Sequence, residues 1–377
     1  MLYLDHAATT PLRPSAWAAL ESFRHTFGNP SGVHEISRSA KNALEAARER
    51  AAGLLGAARS DEIVFTAGGT EADNLAVAGA ALAGGSPGDV VVSAVEHKAV
   101  LESAAFIGRL GGRVDIVPVD GRGLIDPGAV ADAVGPDTAV VSTMLANNET
   151  GALQSVGAIV EAVREKNSAT LVHTDAVQAF ISEPVDVVAL GVDLLSLAAH
   201  KFGGPKGVGL LYVRDGVRLE PVLHGGSQER GRRAGTHNPM GVAGMVAAME
   251  ETVADRTSFR ARVGGYRDTF ERLLAAAVPE AEVNGPPDRR LVQHAHLGFP
   301  GRSSETLLIR FDQAGLAAAA GSACQSGAVE VSHVLAAMGF DEAAAAAAIR
   351  FSFGWTTQPG DAELAVKIVT GVLEDLA

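Results

Sequence analysis

Ser196-Leu-Ala-Ala-His200-Lys201-Phe-Gly-Gly-Pro-Lys206-Gly-Val-Gly209 is the stretch on which the reading of the fold turns. The apolar run Val192 to Ala199 reads as a buried strand, a glycine-rich turn follows, and Val208 to Val213 reads as a second strand. A lysine at the junction of a strand and a glycine turn is poorly explained by packing. Desolvation and neighbouring cations lower a lysine pKa, and a neutral amine forms a Schiff base with an aldehyde. Two plainer readings compete: Lys201 is a solvated loop lysine, or Lys206 is the functional one.

Outward from this stretch, the chain alternates short apolar runs with helical patterns. The runs are Ile63–Thr66, Val90–Ser93, Val114–Val117, Ala139–Met144, Leu171–His173, Leu194–Ala198 and Val208–Val213. Helical patterns at Thr70–Leu82, Ala99–Leu110 and Val156–Lys166 lie between them. That alternation predicts an α/β protein with a mostly parallel seven-stranded sheet covered on both faces. Two helical patterns precede it, Ser15–Phe27 and Val33–Leu55, the latter stopped by Gly56. After Thr236 the texture changes to helices at Gly241–Val253 and Phe259–Ala277, then the breaker Asn284-Gly-Pro-Pro287. Strand-like runs at Val292–Phe299 and Ile349–Phe353 follow, mixed with helices at Ser304–Gln313 and Ala362–Leu376, and the polyalanine Ala343–Ala348 reads as a helix. The expected division is a large domain over residues 14–257 and a smaller α+β domain over 258–377, with residues 1–13 packing on the latter.

The bulk composition narrows the function. The chain has 377 residues, 47% hydrophobic and 20% charged, within the globular range. A net charge of −13 argues against general binding to nucleic acid or anionic membranes. Leu4-Asp5-His6 interrupts any leader-like apolar region, and no run approaches the ~20 apolar residues of a membrane span, so a cytoplasmic protein is expected. The single cysteine, Cys324, excludes an intramolecular disulfide and a zinc site built on paired cysteines, and no metal site is expected.

In open α/β sheets, ligands bind beyond the carboxyl ends of the strands. Polar groups recur at those places. Gly68-Gly69-Thr70 follows the first run and suits a phosphate at a helix N-terminus, although it is also an ordinary helix cap. It lacks the Gly-Lys-Ser/Thr ending of a nucleotide P-loop. His97 follows the second run, with a capping or core histidine as the plain alternative. Asn147-Asn148-Glu149 follows the fourth, and Asp175 with Gln178 the fifth. A buried carboxylate at a strand end needs a cationic partner, and a protonated ring nitrogen would serve. Together these are the parts of a pyridoxal phosphate site: an amine, a phosphate cradle, and a carboxylate that keeps the ring an electron sink.

At this point the residues resemble a known family, the cysteine desulfurases of the class-V aminotransferase group (NifS/IscS-like). The motifs are Tyr3-Leu-Asp-His-Ala-Ala-Thr-Thr-Pro11, Gly28-Asn-Pro-Ser-Gly-Val-His34, Thr66-Ala-Gly-Gly-Thr-Glu-Ala-Asp-Asn74, Glu96-His97 and Asn147-Asn-Glu149. His173-Thr-Asp-Ala-Val-Gln178, His200-Lys201, Gly204-Pro-Lys-Gly207, Arg233-Ala-Gly-Thr236, Gly321-Ser-Ala-Cys324 and Ile349-Arg-Phe-Ser352 complete the series. The resemblance implies the fold-type I transferase fold and pyridoxal 5′-phosphate as cofactor. It implies Lys201 as the Schiff-base lysine, His97 stacked on the ring, Asp175 at the pyridine nitrogen and Gln178 at the phenolic oxygen. Asn148 is implied near that side of the ring and the substrate, and Gly69, Thr70 and His200 at the phosphate. Thr236 would reach the phosphate of the other subunit of a homodimer, so the active site is shared. Arg350 would grip the substrate carboxylate, as its fork suits. One departure stands out: the family commonly has a phosphate-binding serine two positions before the His-Lys pair, where this chain has Ala198. Ser196 points to the same face but sits too far back to replace it.

Cys324, among small residues from Ala318 to Gly327, falls where the family carries its nucleophile, and an exposed, movable thiol suits thiolate chemistry. The implied reaction converts L-cysteine to L-alanine and leaves sulfur on Cys324 as a persulfide. Lys201 takes the α-proton and His97 assists proton transfer. The sulfur then passes to an acceptor protein, an iron–sulfur scaffold or a sulfur carrier for thio-cofactor or tRNA biosynthesis. A selenocysteine lyase or another class-V pyridoxal phosphate enzyme would share the cofactor residues. A Cys-His thiol hydrolase and a non-catalytic sulfur-transfer scaffold are the alternatives of other kinds.

Overall fold

The computed structural model describes residues 1–321 and 331–376. Seven strands form one sheet in the order Ile63–Thr66, Gly209–Val213, Leu194–Ala198, Leu171–Asp175, Thr138–Ser142, Asp89–Ser93 and Val114–Val117. Gly209–Val213 alone runs against its two neighbours, and the other six share one direction. This is the mostly parallel sheet that the alternating pattern predicts, strand for strand.

Alternate side chains on these strands feed two separate cores, as the two-residue period of a strand requires. Val91, Val141, Val172, Leu195 and Leu197 join the larger core on one face. Val90, Val92, Val140, Leu194 and Leu211 join a smaller one covered by helices Gly69–Leu82 and Lys98–Arg109. Helix Gly69–Leu82 is buried nearly all round, which its run of alanine and small residues permits. A strand buried on both faces has no polar alternation to reveal, hence the near-continuous apolar runs.

Beyond the sheet, His294–Gly298 lies between Ala348–Ser352 and Glu282–Val283 in a three-stranded antiparallel sheet. Leu2–Tyr3 pairs with Leu316–Ala317, and Asp5 bridges to Ser352. The N-terminal segment is thereby tied to the C-terminal part of the chain.

Two local expectations fail for physical reasons. The helical patterns Gly241–Val253 and Phe259–Ala277 are one continuous helix, Pro239–Ala277, of 39 residues. The polar stretch between them contains neither Pro nor Gly, and Arg256 lies over the Phe180 ring while donating to the Phe180 carbonyl, so nothing breaks the helix there. The expected domain boundary at residue 257 falls inside this helix. The polyalanine is split: helix Glu342–Ala346, capped by Asp341, ends at Ala347, and Ala348 begins a strand paired with Gly298. Tertiary pairing overrides alanine's helix propensity, which is worth only tenths of a kcal/mol per residue, of order ~0.5.

Candidate active site

The carboxyl ends of five of the six co-directional strands converge on a cavity of about 280 Å³. Its walls include Gly69, Thr70, His97, Asn148, Asp175, Gln178, Ala198, His200, Lys201 and Arg350. Residues spread over more than 280 positions of sequence are brought to one place by the sheet topology.

Lys201 closes a short turn, Ala199–Lys201, at the end of strand Leu194–Ala198. Its Nζ donates to the carbonyls of Ala7 at 2.6 Å and Ala8 at 3.0 Å. Burial, aided by the nearby Arg350 charge, pulls its pKa down to about 8 against the opposing pull of Asp175 and Asp5. An amine so placed is partly neutral near physiological pH, the state in which it is a nucleophile. Lys206 is exposed and does not line the cavity.

His97 is the N-cap of helix Lys98–Arg109, and its Nδ1 accepts from the Ala99 amide at 3.1 Å. The neutral ring therefore carries its proton on Nε2. Burial lowers its pKa, Asp175 opposes that shift, and Lys201 and His333 add to it. The capping and site readings of His97 are thus both true of one ring. Asp175 ends strand Leu171–Asp175 and accepts from the Val177 amide at 2.9 Å. Burial raises its pKa, while His97 and Lys201 favour its charge.

At the end of strand Ile63–Thr66, the turn through Gly68 starts helix Gly69–Leu82 without any side-chain cap. Its first-turn amides are therefore unclaimed by side chains, and Thr70 adds a hydroxyl beside the cavity. The backbone is closely packed at 69: a Cβ there would stand 3.1 Å from Val177 Cγ2 and 3.3 Å from Ala198 Cβ, so these neighbours would have to give way. His200 Nδ1 lies 3.2 Å from Thr9 Oγ1, and burial with Lys201 and Lys206 nearby lowers its pKa to about 4. It would meet an anion as a neutral N–H donor. Ser196, which shares Ala198's face, is engaged with His173 at 2.9 Å and does not line the cavity. The serine missing at Ala198 is not replaced from there.

Gln178 Nε2 donates to the Ala7 carbonyl at 3.0 Å, leaving its second amide hydrogen for a ligand. Arg350 is buried, donating from Nη1 to the Asn148 carbonyl at 2.7 Å and pairing through Nη2 with Asp5 at 2.8 Å, while its Nε has no partner. A buried guanidinium N–H without a partner is a donor available to a carboxylate. Thr236 is exposed and does not line the cavity of its own chain. Cys324 lies outside the described residues. Gly321 and Ser332, on either side of that stretch, both meet Glu149. A Cβ at Gly321 would lie 2.9 Å from Glu149 Oε2, and the Ser332 hydroxyl donates to the same oxygen at 2.5 Å.

Pyridoxal phosphate fits the groups present: an amine of lowered pKa, uncapped helix amides with a hydroxyl, a buried carboxylate facing the cavity, and an arginine with an unpartnered Nε. Among the described residues no cluster could hold a metal ion, and no helix is long and apolar enough to cross a membrane. The sequence reading missed Asp73, Asp5, the Ala7 and Ala8 carbonyls, and Met144. Asp73 and Asp5 stand inside quoted motifs and had a signal. The backbone carbonyls have none.

The profile of the family described as Aminotransferase class-V matches residues 2–364. A cysteine desulfurase IscS of Dictyoglomus turgidum is 41% identical over 377 residues, covering 100% of this chain and 95% of that protein. A cysteine desulfurase of Gluconacetobacter diazotrophicus is 42% identical, covering 100% of this chain and 94% of that one. A solved NifS-like protein superimposes with a TM-score of 0.92 at 34% identity over 99% of both chains.

Proposed function

The chain belongs to the class-V aminotransferase family, and from that premise we infer that it is a pyridoxal phosphate-dependent cysteine desulfurase, converting L-cysteine to L-alanine and retaining the sulfur on Cys324. The observation that carries this reading is the convergence of Lys201, His97, Asp175, Gln178 and Arg350 on one cavity.

Bound there, pyridoxal phosphate supplies an aldehyde that takes up amines and a ring that accepts an electron pair from the substrate. Lys201 would anchor it covalently, Asp175 would face its ring nitrogen, and Gln178 its phenolic oxygen. Gly69, Thr70 and His200 would hold its phosphate, and Asn148 would line the substrate side. Arg350, whose Nε has no partner, would receive the substrate carboxylate and so orient the substrate against the amine of Lys201. That amine, neutral above about pH 8, takes the α-proton. His97 Nε2 carries the exchangeable proton that assists. Cys324 thiolate attacks the substrate sulfur: an S–S bond forms, the carbon–sulfur bond breaks, and its electron pair stays with the carbon that becomes alanine's methyl group after protonation.

Thr236 serves the phosphate site of the other copy in a homodimer, and the persulfide sulfur goes to an acceptor protein, an iron–sulfur scaffold or sulfur carrier. A catalytic thiol that must stay reduced fits a cytoplasmic setting. Purified protein loaded with pyridoxal phosphate is expected to yield alanine from L-cysteine and a persulfide on Cys324. Cys324→Ser keeps the cofactor absorbance and loses sulfide release. Sulfide release at the wild-type rate from that variant, or turnover confined to selenocysteine or a keto-acid acceptor, would overturn the assignment.

A further inference from the structure

One buried row of polar side chains has no part in the chemistry above. Ser142, His173 and Ser196 lie on three neighbouring strands of the large sheet. His173 Nδ1 is 2.8 Å from Ser142 Oγ, and its Nε2 is 2.9 Å from Ser196 Oγ. Asp73, on the covering helix Gly69–Leu82, faces the same row, its Oδ1 3.7 Å from His173 Nε2. All four are buried, with Asp73 the most exposed at 1%, and of the four Asp73 alone lines the cavity.

An ionised carboxylate removed from water requires a cation or several donors. Asp193, equally deep, has both: two arginines, Arg214 at 2.6 Å and Arg164 at 3.1 Å, and the Val172 amide at 2.8 Å. Among the described residues no arginine or lysine is paired with Asp73. The basic group facing it is His173, whose Nε2 is 3.7 Å from Oδ1, already serves Ser196, and is kept neutral by burial, its pKa near 3. Asp73 Oδ1 has no hydrogen-bond partner. The remaining charged groups acting on Asp73 are Asp175 and Glu96, both acidic, and burial with these neighbours drives its pKa well above the carboxylate range. Where two buried carboxyls act on each other, one of them is pushed toward its neutral form. Asp175, with an amide, His97 and Lys201 on its side, is the one favoured to carry the charge.

We propose that Asp73 is a positioning residue, a neutral carboxylic acid that closes the Ser142–His173–Ser196 row at the cavity wall and leaves Asp175 as its one ionised carboxylate. The inference rests on Asp175 facing the ring nitrogen of the cofactor. An ionised Asp73 would set a second negative charge on the wall of the same cavity as Asp175. A neutral acid fills the same space and adds no charge.

Infrared spectra of the apoprotein at pH 7 test the protonation directly. The wild type minus Asp73→Asn difference should contain a carboxylic-acid C=O band that shifts in heavy water, and the band should persist in Glu96→Gln. Equilibrium binding of pyridoxal phosphate tests the role: the neutral isostere Asp73→Asn should rescue affinity to within about threefold of wild type, whereas Asp73→Ala weakens it about tenfold. A difference spectrum showing only a carboxylate band, or an Asn variant as weak as the Ala variant, overturns the proposal. If wild-type protein takes up no pyridoxal phosphate, the functional reading fails instead, and the infrared arm still decides the state of Asp73.

Discussion

Glu229 and Asp175 are both buried carboxylates, yet the fold holds them in opposite ways. Glu229 receives two bonds from the Arg48 guanidinium, at 2.7 and 2.9 Å, and lies 2.9 Å from His237 Nε2. Arg48 in turn lies over the Phe65 ring and donates to the Ile63 carbonyl. Burial would raise the Glu229 pKa, but the hydrogen bonds from His237 and Arg48 overturn that and hold it low. At and behind the cavity wall, burial wins: Asp175 and Asp73 on the wall are raised, and Glu96 behind it is raised to about 8. Glu96 accepts from the Ser93 hydroxyl and the Met144 amide, but its Oε2 has no partner. Ion pairs completed inside the fold make a structural joint. Carboxylates left short of cations make a site that a cationic ligand completes.

Removing the cavity's own amine should have the largest effect. Lys201→Ala is expected to lower kcat/KM for cysteine by about 10³-fold or more, because anchor and base are lost together. Activity within tenfold of wild type would break the comparison at its root. For the wild-type apoprotein, cofactor uptake should accelerate as pH rises through about 8, since the amine must be neutral to react. A rate flat from pH 6 to 9 would contradict that.

Arg48→Met tests the other region. It strands Glu229 with only His237, and the expected loss is about 3–5 kcal/mol of unfolding free energy. Glu229 has a depressed folded pKa, so its contribution is present above the unfolded pKa and lost as pH falls through the folded one. The penalty of Arg48→Met should therefore shrink in acid. A penalty independent of pH would mean that lost packing, not charge, dominates.

Glu96→Gln sharpens the contrast with the sign reversed. Glu96 has a raised folded pKa, so between the ordinary 4.5 and about 8 the folded state holds a proton that the unfolded state has released. Wild-type stability falls as pH rises through that window. The variant, which never ionises, should gain about 1–3 kcal/mol over wild type by pH 8 and nothing at pH 4. Equal melting curves at pH 8 would show that Glu96 is not held as described. The smallest effect concerns the incomplete phosphate cradle: Ala198→Ser should tighten pyridoxal phosphate binding by about fivefold or more, about 1–2 kcal/mol for one added hydrogen bond. Unchanged affinity would mean that Thr70, His200 and the helix amides already satisfy the phosphate.

Much of this was legible in the chain. Each strand of the large sheet is an apolar run interrupted by glycine or a polar strand end, and the rule that ligands sit at carboxyl ends selected Lys201, His97, Asp175 and Gln178 before any contact was known. Helix continuity through residues 254–258 was not legible, because a polar stretch without a breaker reads equally as helix or loop until Phe180 packs beneath Arg256. Nor was the end of the polyalanine helix before Ala348, where the strand read from Ile349 onward already begins, because its pairing partner lies 50 residues away at Gly298.

The Lys201 stretch illustrates the division. The sequence by itself determined the residue types at each strand end, because strand period, glycine turns and helix starts are local properties of the backbone. Tertiary structure alone decided their charges. Asp175, Asp73 and Glu229 are the same kind of group in sequence, and only their neighbours in space, Val177 and His97, Ser196 and His173, Arg48 and His237, decide what each one carries. A charge in a low-dielectric interior is set by what faces it, and what faces it comes from distant parts of the chain.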